Sequence, residues 1–406
     1  MRHRLLLLPL LLLLGASPAL KVEVQARHGK SLLGSIDGFP LLLLKGTAKE
    51  RGEAHGRLEA TAILGLLDEA IIPSMEKFTK GAWENKLVRE SAAFAFPERY
   101  EAELAAMLDG LRAALPKPDD RMLKMLHREI GIGDLKALNC MSDILGAGCS
   151  SFSAWGARTA DGAPVVGRNL DYFAFPLSSK AMLLAVEPEE KDLKATVDVL
   201  MPGYIGVGTV LNSDGAFLAL HDEKGLPGPA GAGWVPRSLA LRTAIEKAAG
   251  ASAVKDVEAA LKNVPVRVGN NVHVCGTQGP AAVLEWDGNA KDDGVTSRGP
   301  DGRETLVCTN HYCLREKSEG GPDSGGRFNT VTRGLDALGT AGRKIDVELA
   351  KKLLESVGRS GPIVTHLSYV AWPAARRWSF SVSPKTGVSA SKGRWISLEW
   401  KDVFGN

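Results

Sequence analysis

The texture of this 406-residue chain changes at Gly146, and that break constrains the fold more than any other feature of the sequence. Upstream, from Thr47 to about Leu145, apolar residues recur at helical spacing in RGEAHGRLEATAILGLLDEAII, PERYEAELAAMLDGLRAAL and DDRMLKMLHREIGIGDLKALN. Pro97, Pro116 and Pro118 stand at the helix boundaries, and His55 and Arg57 read as the polar face of a surface helix. Downstream, CSSFSAWGARTADGAPVVGRNLDY reads as a strand, an Asp161-Gly162 turn and a second strand. Strand patterns follow in AMLLAVEP, ATVDVLMP and IGVGTVLNSDGAFLALHD, with two amphipathic helices within 237–262. Then come strand-like VHVCG, AAVLEWDG and ETLVCTNHYC, helical GRFNTVTRGLDALGTAG and DVELAKKLLESVG, and a hairpin-rich tail, RRWSFSVSPKTGVSASKGRWISLEW. The alternation of strand and helix blocks predicts an α+β fold in which sheets are layered with helices. LPGPAGAGWVP (226–236) reads as a loop near a pocket mouth, and GYIGVGTV is followed by no helix, so it is not a dinucleotide fingerprint.

Residues 1–19 have the layout of a signal peptide: Arg2 and Arg4, then LLLLPLLLLL, then small residues ending at Ala19. Ten apolar residues broken by Pro9 cannot cross roughly 30 Å of hydrocarbon, so the expectation is a secreted or periplasmic protein with no membrane span. The balance of 50 basic against 47 acidic residues, without a basic tail or stripe, argues against nucleic acid as a partner. The expected division is a signal peptide at 1–19, a mostly helical N-terminal chain at 20–148, and a core at 149–406.

Export makes the cysteines informative. There are five, Cys140, Cys149, Cys275, Cys308 and Cys313, and in an oxidising compartment an odd count leaves one thiol to be explained. Cys308 and Cys313, five apart in an apparent strand, would lie on opposite faces and not pair with each other. No CxxC spacing exists, and His273, His311 and His366 are isolated, so neither a metal nor another cofactor is called for.

Hairpin arithmetic then brings reactive residues together. A two-residue Asp161-Gly162 loop would set Cys149 opposite Ala174. A bulge or longer loop shifts the partner by a few places and brings Arg168 and Asp171 near Cys149. An arginine favours a thiolate, and a carboxylate can hold a protonated amine.

This segment resembles the nucleophile hairpin of the cysteine-type N-terminal nucleophile (Ntn) hydrolases, and is most similar to the acyl-coenzyme A:6-aminopenicillanic acid acyltransferase group, which is related to acid ceramidase and choloylglycine hydrolase. The matching residues are Cys149, Ser150-Ser151 and the block Gly167-Arg168-Asn169-Leu170-Asp171-Tyr172. LNSDGAFLAL, VCTNHYC, DSGGRFNTVTR and ERGEAHGR resemble further blocks of the group, in the same order along the chain apart from the last, which lies at 50–57. The resemblance implies an αββα four-layer sandwich from Cys149 onward and self-cleavage between Gly148 and Cys149. The N-terminal chain would stay bound as a partner after the cut. It implies that Cys149 is the nucleophile, that Asp171 binds the freed α-amine and that Arg168 orients thiol and amine. The Asn310 amide would donate to the oxyanion, Arg327 would support the site as a cation, and Asn212 would join it.

The reaction expected is hydrolysis of a linear, non-peptide C–N amide of an N-acylated small molecule through a thioester. Transfer of the acyl group to an amine is the same chemistry with water excluded. Phe173, Phe175, Pro176 and Trp234, near the expected mouth, suit an apolar acyl group. Three alternatives fit less well. A papain-like protease lacks its Cys-Gly-Ser-Cys-Trp signature here. A metal hydrolase lacks paired ligand spacing, and an inactive binding protein on the same scaffold would have no need of the thiol.

Overall fold

Two sheets face each other in the computed structural model of the chain, which describes residues 20–146, 148–177, 179–223, 233–288, 290–315 and 320–405. The expected signal peptide, Ala147 and most of the 226–236 loop lie outside the described residues.

The first sheet has ten strands in the order β1-β2-β3-β8-β9-β10-β11-β12-β13-β14. They are β1 (Val22–His28), β2 (Ser31–Ile36), β3 (Phe39–Gly46), β8 (Met182–Pro188), β9 (Thr196–Leu200), β10 (Thr209–Asn212), β11 (Phe217–Asp222), β12 (Asn270–Cys275), β13 (Ala282–Trp286) and β14 (Val295–Arg298). All neighbours are antiparallel except β3 and β8, which run parallel. The second sheet has six antiparallel strands in the order β15-β6-β7-β16-β17-β18. These are β15 (Thr305–Cys308), β6 (Gly148–Ala154), β7 (Val165–Phe173), β16 (Ile363–Trp372), β17 (Arg377–Val382) and β18 (Ile396–Glu399). A hairpin of β4 (Met122–Leu123) with β5 (Arg128–Glu129) stands apart.

The burial pattern explains the layering. Phe217, Ala219, Val197 and Val199 of the ten-stranded sheet pack against Val166, Leu367, Tyr369 and Phe380 of the other, forming the core between the sheets. The alternate residues face outward. Leu218, Leu220, Val272 and Val274 are covered by α7 (Arg237–Ile245) and α8 (Ala253–Leu261). Phe152, Val165 and Val370 are covered by α9 (Gly326–Thr340) and α10 (Val347–Glu355). Helix, sheet, sheet, helix is the expected αββα sandwich, and α11 (Trp400–Phe404) closes the chain.

The N-terminal segment is mostly helical, with α1 (Ala48–Leu58), α2 (Ala60–Gly65), α3 (Ile72–Phe78), α4 (Arg89–Ser91), α5 (Glu98–Ala114) and α6 (Ile132–Ile144). It also supplies β1 to β3, which sequence reasoning left unassigned. The LLLL run of β3 is buried on both faces and carries no period to read. DDRMLKMLHREIG, read as helix, holds the β4–β5 hairpin instead.

ERGEAHGR is a packing motif. Gly52 and Gly56 of α1 lie against the α5 backbone so closely that a Cβ at either would sit 2.0 Å from the Glu103 carbonyl oxygen or 1.8 Å from that of Met107. His55, expected on a surface, is fully buried and accepts the Gly203 N–H at 2.9 Å, while Arg57 is exposed. Ion pairs then tie this segment to the core: buried Glu103 of α5 meets buried Arg242 of α7 at 3.0 Å, and half-buried Arg99 meets Glu246 at 2.6 Å. A chain cut after Gly148 would therefore leave two interleaved pieces sharing one sheet.

Candidate active site

Cys149 is the second residue of β6, and its odd-numbered neighbours Ser151 and Ser153 share its face, toward the space between the sheets. Even-numbered Ser150 and Phe152 face α9 and α10. The register sets Cys149 opposite Leu170 and Gly148 opposite Asp171. The two-residue turn expected at Asp161-Gly162 is not formed. The strands end at Ala154 and Val165, a 3-10 turn fills Gly156–Arg158, and the partner of Cys149 moves from Ala174 to Leu170.

That register puts Arg168 on the inner face with the thiol and Asp171 on the outer face beside the Gly148–Cys149 bond. Arg168 Nη2 donates to Cys149 Sγ at 3.3 Å and to the Leu220 carbonyl at 2.6 Å. Burial pushes the thiol up to about 11, although the Arg168 charge pulls it down. Asp171 is wholly buried. Its Oδ1 accepts the Thr365 hydroxyl at 2.6 Å, while its Oδ2 has no hydrogen-bond partner among the described residues. Burial raises its carboxyl above the usual range, against the pull of Thr365 and of Arg327, Arg359 and Arg168.

Asn310 follows β15, in the bend just past Cys308. Its Oδ1 accepts the Cys149 N–H at 2.7 Å and Arg327 Nη2 at 2.9 Å, and its Nδ2 donates to the Asp222 carbonyl at 2.6 Å. In the continuous chain the amide oxygen thus holds the Cys149 nitrogen, whereas the expected role aimed the amide nitrogen at an oxyanion. Arg327 of α9 donates to the Cys149 carbonyl oxygen and to Ser150 Oγ, the latter at 2.8 Å.

Asn212 is not part of this cluster. Its Nδ2 donates to the Ile245 and Ala248 carbonyls, and its Oδ1 accepts from Asp214 N and Ala216 N, so it braces the β10–β11 turn against α7. Its side chain is fully engaged as a turn residue.

Two cavities adjoin beside β6, sharing Ser142, Tyr172 and Asp222 in their walls. One, of about 160 Å³, is walled by Leu170, Leu177, Val199, Val207 and Leu220, with Cys149 and Arg168 in its lining. The other, of about 540 Å³, is larger and is lined by Gly148, Asn310, Asp323 and Arg359 among others. The aromatic residues expected at the mouth are placed differently. Phe175 and Trp234 are buried in the core of the helical segment, and Phe173 lines the larger cavity. Tyr172 borders both cavities.

Several neighbours had no signal in the sequence. Thr365 reaches Asp171 across 194 residues. His221 on β11 is buried near Arg168, and burial together with that charge keeps it well below the usual histidine range. His273 bridges Ser151 Oγ at 2.7 Å and Ser153 Oγ at 2.9 Å, and His311 Nδ1 contacts Ser324 Oγ at 2.8 Å. β15 stops at Cys308, so the expected opposite-face relation with Cys313 does not arise, and Cys313 N donates to Glu285 Oε1 instead. Among the described residues no group of three or more His, Cys, Asp or Glu could hold a metal, and no helix is long and apolar enough to cross a membrane.

A thiol beside an arginine, at the head of a strand in an αββα sandwich, is the arrangement of an Ntn hydrolase. Sequence comparison agrees: the family model for acyl-coenzyme A:6-aminopenicillanic acid acyltransferase matches residues 157–357. The chain belongs to this family of N-acyl amidases and acyltransferases. The matched stretch contains Arg168, Asp171, Asn310 and Arg327 and begins after Cys149. No curated protein matches in sequence.

Among solved structures, the chain is similar to a Caenorhabditis elegans ortholog of N-acylethanolamine-hydrolyzing acid amidase, with 18% identity and a TM-score of 0.43, covering 61% of this chain and 99% of that one. It is also similar to a mutant conjugated bile acid hydrolase from Clostridium perfringens (13% identity, TM-score 0.46, 62% and 92% covered). A third is penicillin V acylase from Agrobacterium tumefaciens (14%, 0.41, 62% and 91%).

Proposed function

We propose that the protein is an exported, self-cleaving amidase in which Cys149, freed as an N-terminal residue, hydrolyses a linear non-peptide amide of an N-acylated small molecule. The observation that carries this reading is the pairing of Arg168 Nη2 with Cys149 Sγ at 3.3 Å while Asp171 Oδ2, buried and unpartnered among the described residues, flanks residue 148.

The uncut chain has a weak nucleophile. A thiol held near 11 is about one part in ten thousand thiolate at pH 7. Cleavage before Cys149 would supply an α-amine, with a reference pKa of about 7.7–8.0, on the residue that carries the thiol. That amine can take the thiol proton and later return a proton to the leaving amine. Asp171 Oδ2 and Asn310 Oδ1 are the acceptors that would hold the ammonium, and neutralising a desolvated carboxylate in this way is favourable. The apolar cavity suits the acyl group. The larger cavity, of about 540 Å³, borders Gly148 and has room for the water that hydrolysis needs. Export rests on the leader-like sequence at 1–19.

The test is a panel of N-acyl amides of graded chain length, with released acid and amine both quantified. Equal release of the two by the native protein, and none by Cys149→Ala, is expected. Turnover by Cys149→Ala would exclude the mechanism.

A further inference from the structure

Self-cleavage turns one neutral peptide bond into two charged ends, and the groups around the Cys149 nitrogen answer for only one of them. Asp171 and Asn310 can take the new ammonium. Arg168 is engaged on the inner face with Sγ and the Leu220 carbonyl, and Arg327 with the carbonyl of Cys149.

We propose that Arg359 is the electrostatic partner of the Gly148 carbonyl, stabilising the oxyanion formed there during self-cleavage and then the Gly148 carboxylate. This rests on the self-cleavage reading above. Arg359 lies between α10 and β16. Its Nη1 is 3.6 Å from the point where a Cβ on residue 148 would sit, and Asp171 Oδ2 is 3.7 Å from the same point. One face of Gly148 is therefore flanked by both a cation and a carboxylate.

Both are fixed by one side chain. The Thr365 hydroxyl donates to Asp171 Oδ1 at 2.6 Å and accepts the Arg359 N–H at 2.8 Å, and Thr365 N donates back to the Arg359 carbonyl at 3.0 Å. The guanidinium is aimed by Asp323, whose Oδ1 accepts from Arg359 Nη1 at 2.8 Å. Asp323 Oδ2 accepts from Arg327 at 3.2 Å, so one carboxylate orients the cations on both sides of the scissile bond. The Arg359 side chain is 29% exposed and opens onto the larger cavity, which also reaches Gly148.

The chemistry balances with one water and no other reactant. The Cys149 sulfur bonds to the Gly148 carbonyl carbon, and negative charge moves onto the carbonyl oxygen. The C–N bond breaks as the thiol proton passes to the Cys149 nitrogen, leaving a Gly148 thioester on Sγ. Water oxygen then bonds to the same carbon, the C–S bond breaks, and the sulfur regains a proton. The second water proton goes to the amine, which leaves a carboxylate and an ammonium. Negative charge thus appears on the Gly148 oxygen in both tetrahedral intermediates and in the product, each time on the residue beside Arg359.

Freshly translated or refolded precursor tests this directly, with the appearance of the Cys149–Asn406 chain followed by denaturing gel and intact mass. Arg359→Ala should cleave about 10²-fold more slowly than the native sequence, the usual consequence of losing an oxyanion partner. Guanidinium chloride at about 20–50 mM should restore the rate at least about tenfold through the open cavity, sodium chloride of equal strength should not, and Arg359→Lys should be intermediate. A merely structural role would not respond to a small cation. Cleavage of Arg359→Ala within about threefold of native, or a slow variant that guanidinium leaves slow, overturns the proposal. A native precursor that stays uncut while hydrolysing amides overturns instead the self-cleavage reading beneath it.

Discussion

The Asn310 side-chain oxygen accepts the backbone N–H of Cys149 at 2.7 Å, so the residue at the centre of the Thr309-Asn310-His311 bend grips the nitrogen that would become the catalytic amine. The same oxygen takes Arg327 Nη2 at 2.9 Å, which fixes the orientation of the amide. Asn310 thereby connects the head of β6 to the start of α9.

Replacing Asn310 with Ala leaves the Cys149 nitrogen and Arg327 short of an acceptor in a buried site. A lost hydrogen bond to a charged group costs about 1.5–3 kcal/mol, or roughly 10- to 10²-fold in rate. Asn310→Ala should lower kcat by that factor with little change in KM. Steady-state kinetics on any substrate from the panel checks it, and a loss confined to KM would place Asn310 in substrate binding.

Acyl-chain selectivity should follow the apolar cavity. Ala181 lines that wall, and Ala181→Phe fills part of a space of only about 160 Å³. Differences of one methylene in such pockets are worth about 10- to 200-fold. KM for long-chain amides should rise about tenfold or more, while short-chain amides change by less than about threefold. Equal effects on both lengths would move the acyl group elsewhere.

Much of this was legible in the sequence because the chemistry-bearing hairpin is local. Cys149, Arg168 and Asp171 lie on two adjacent strands whose apolar and small residues mark them as strands. The register was not legible. It depends on Trp155 N donating to the Glu304 carbonyl and on a 3-10 turn, neither of which has a local signature. β3 hid in an apolar run without period, and its pairing with β8 joins residues 41–46 to 183–188. Asn212 stands in the β10–β11 turn, and an Asn that braces a turn and an Asn in a site share one local pattern. Thr365 and Arg359 meet Asp171 and Gly148 only after the chain has left the second sheet, built β8 to β14 of the first and returned through α9 and α10.

The buried His273 beneath β6 makes stability depend on pH. Burial lowers it from 6.5 to about 3, so between those values the unfolded chain binds a proton that the folded one does not. Its contribution therefore falls as pH falls from about 6.5 toward 3, by about 1.4 kcal/mol per unit. His273→Gln should remove that dependence. Between pH 6.5 and 4.5 the native protein should lose up to roughly 2.7 kcal/mol more than the variant in urea unfolding. Parallel losses in both would mean that His273 is charged in the folded state.

The most direct test is intact-mass analysis of active protein quenched in acid during turnover. The account predicts two chains, the larger beginning at Cys149 and ending at Asn406, with a fraction carrying the acyl mass on Cys149 in a form that hydroxylamine removes. A fully active preparation consisting of one uncut chain, or an acyl adduct on any other residue, would contradict it.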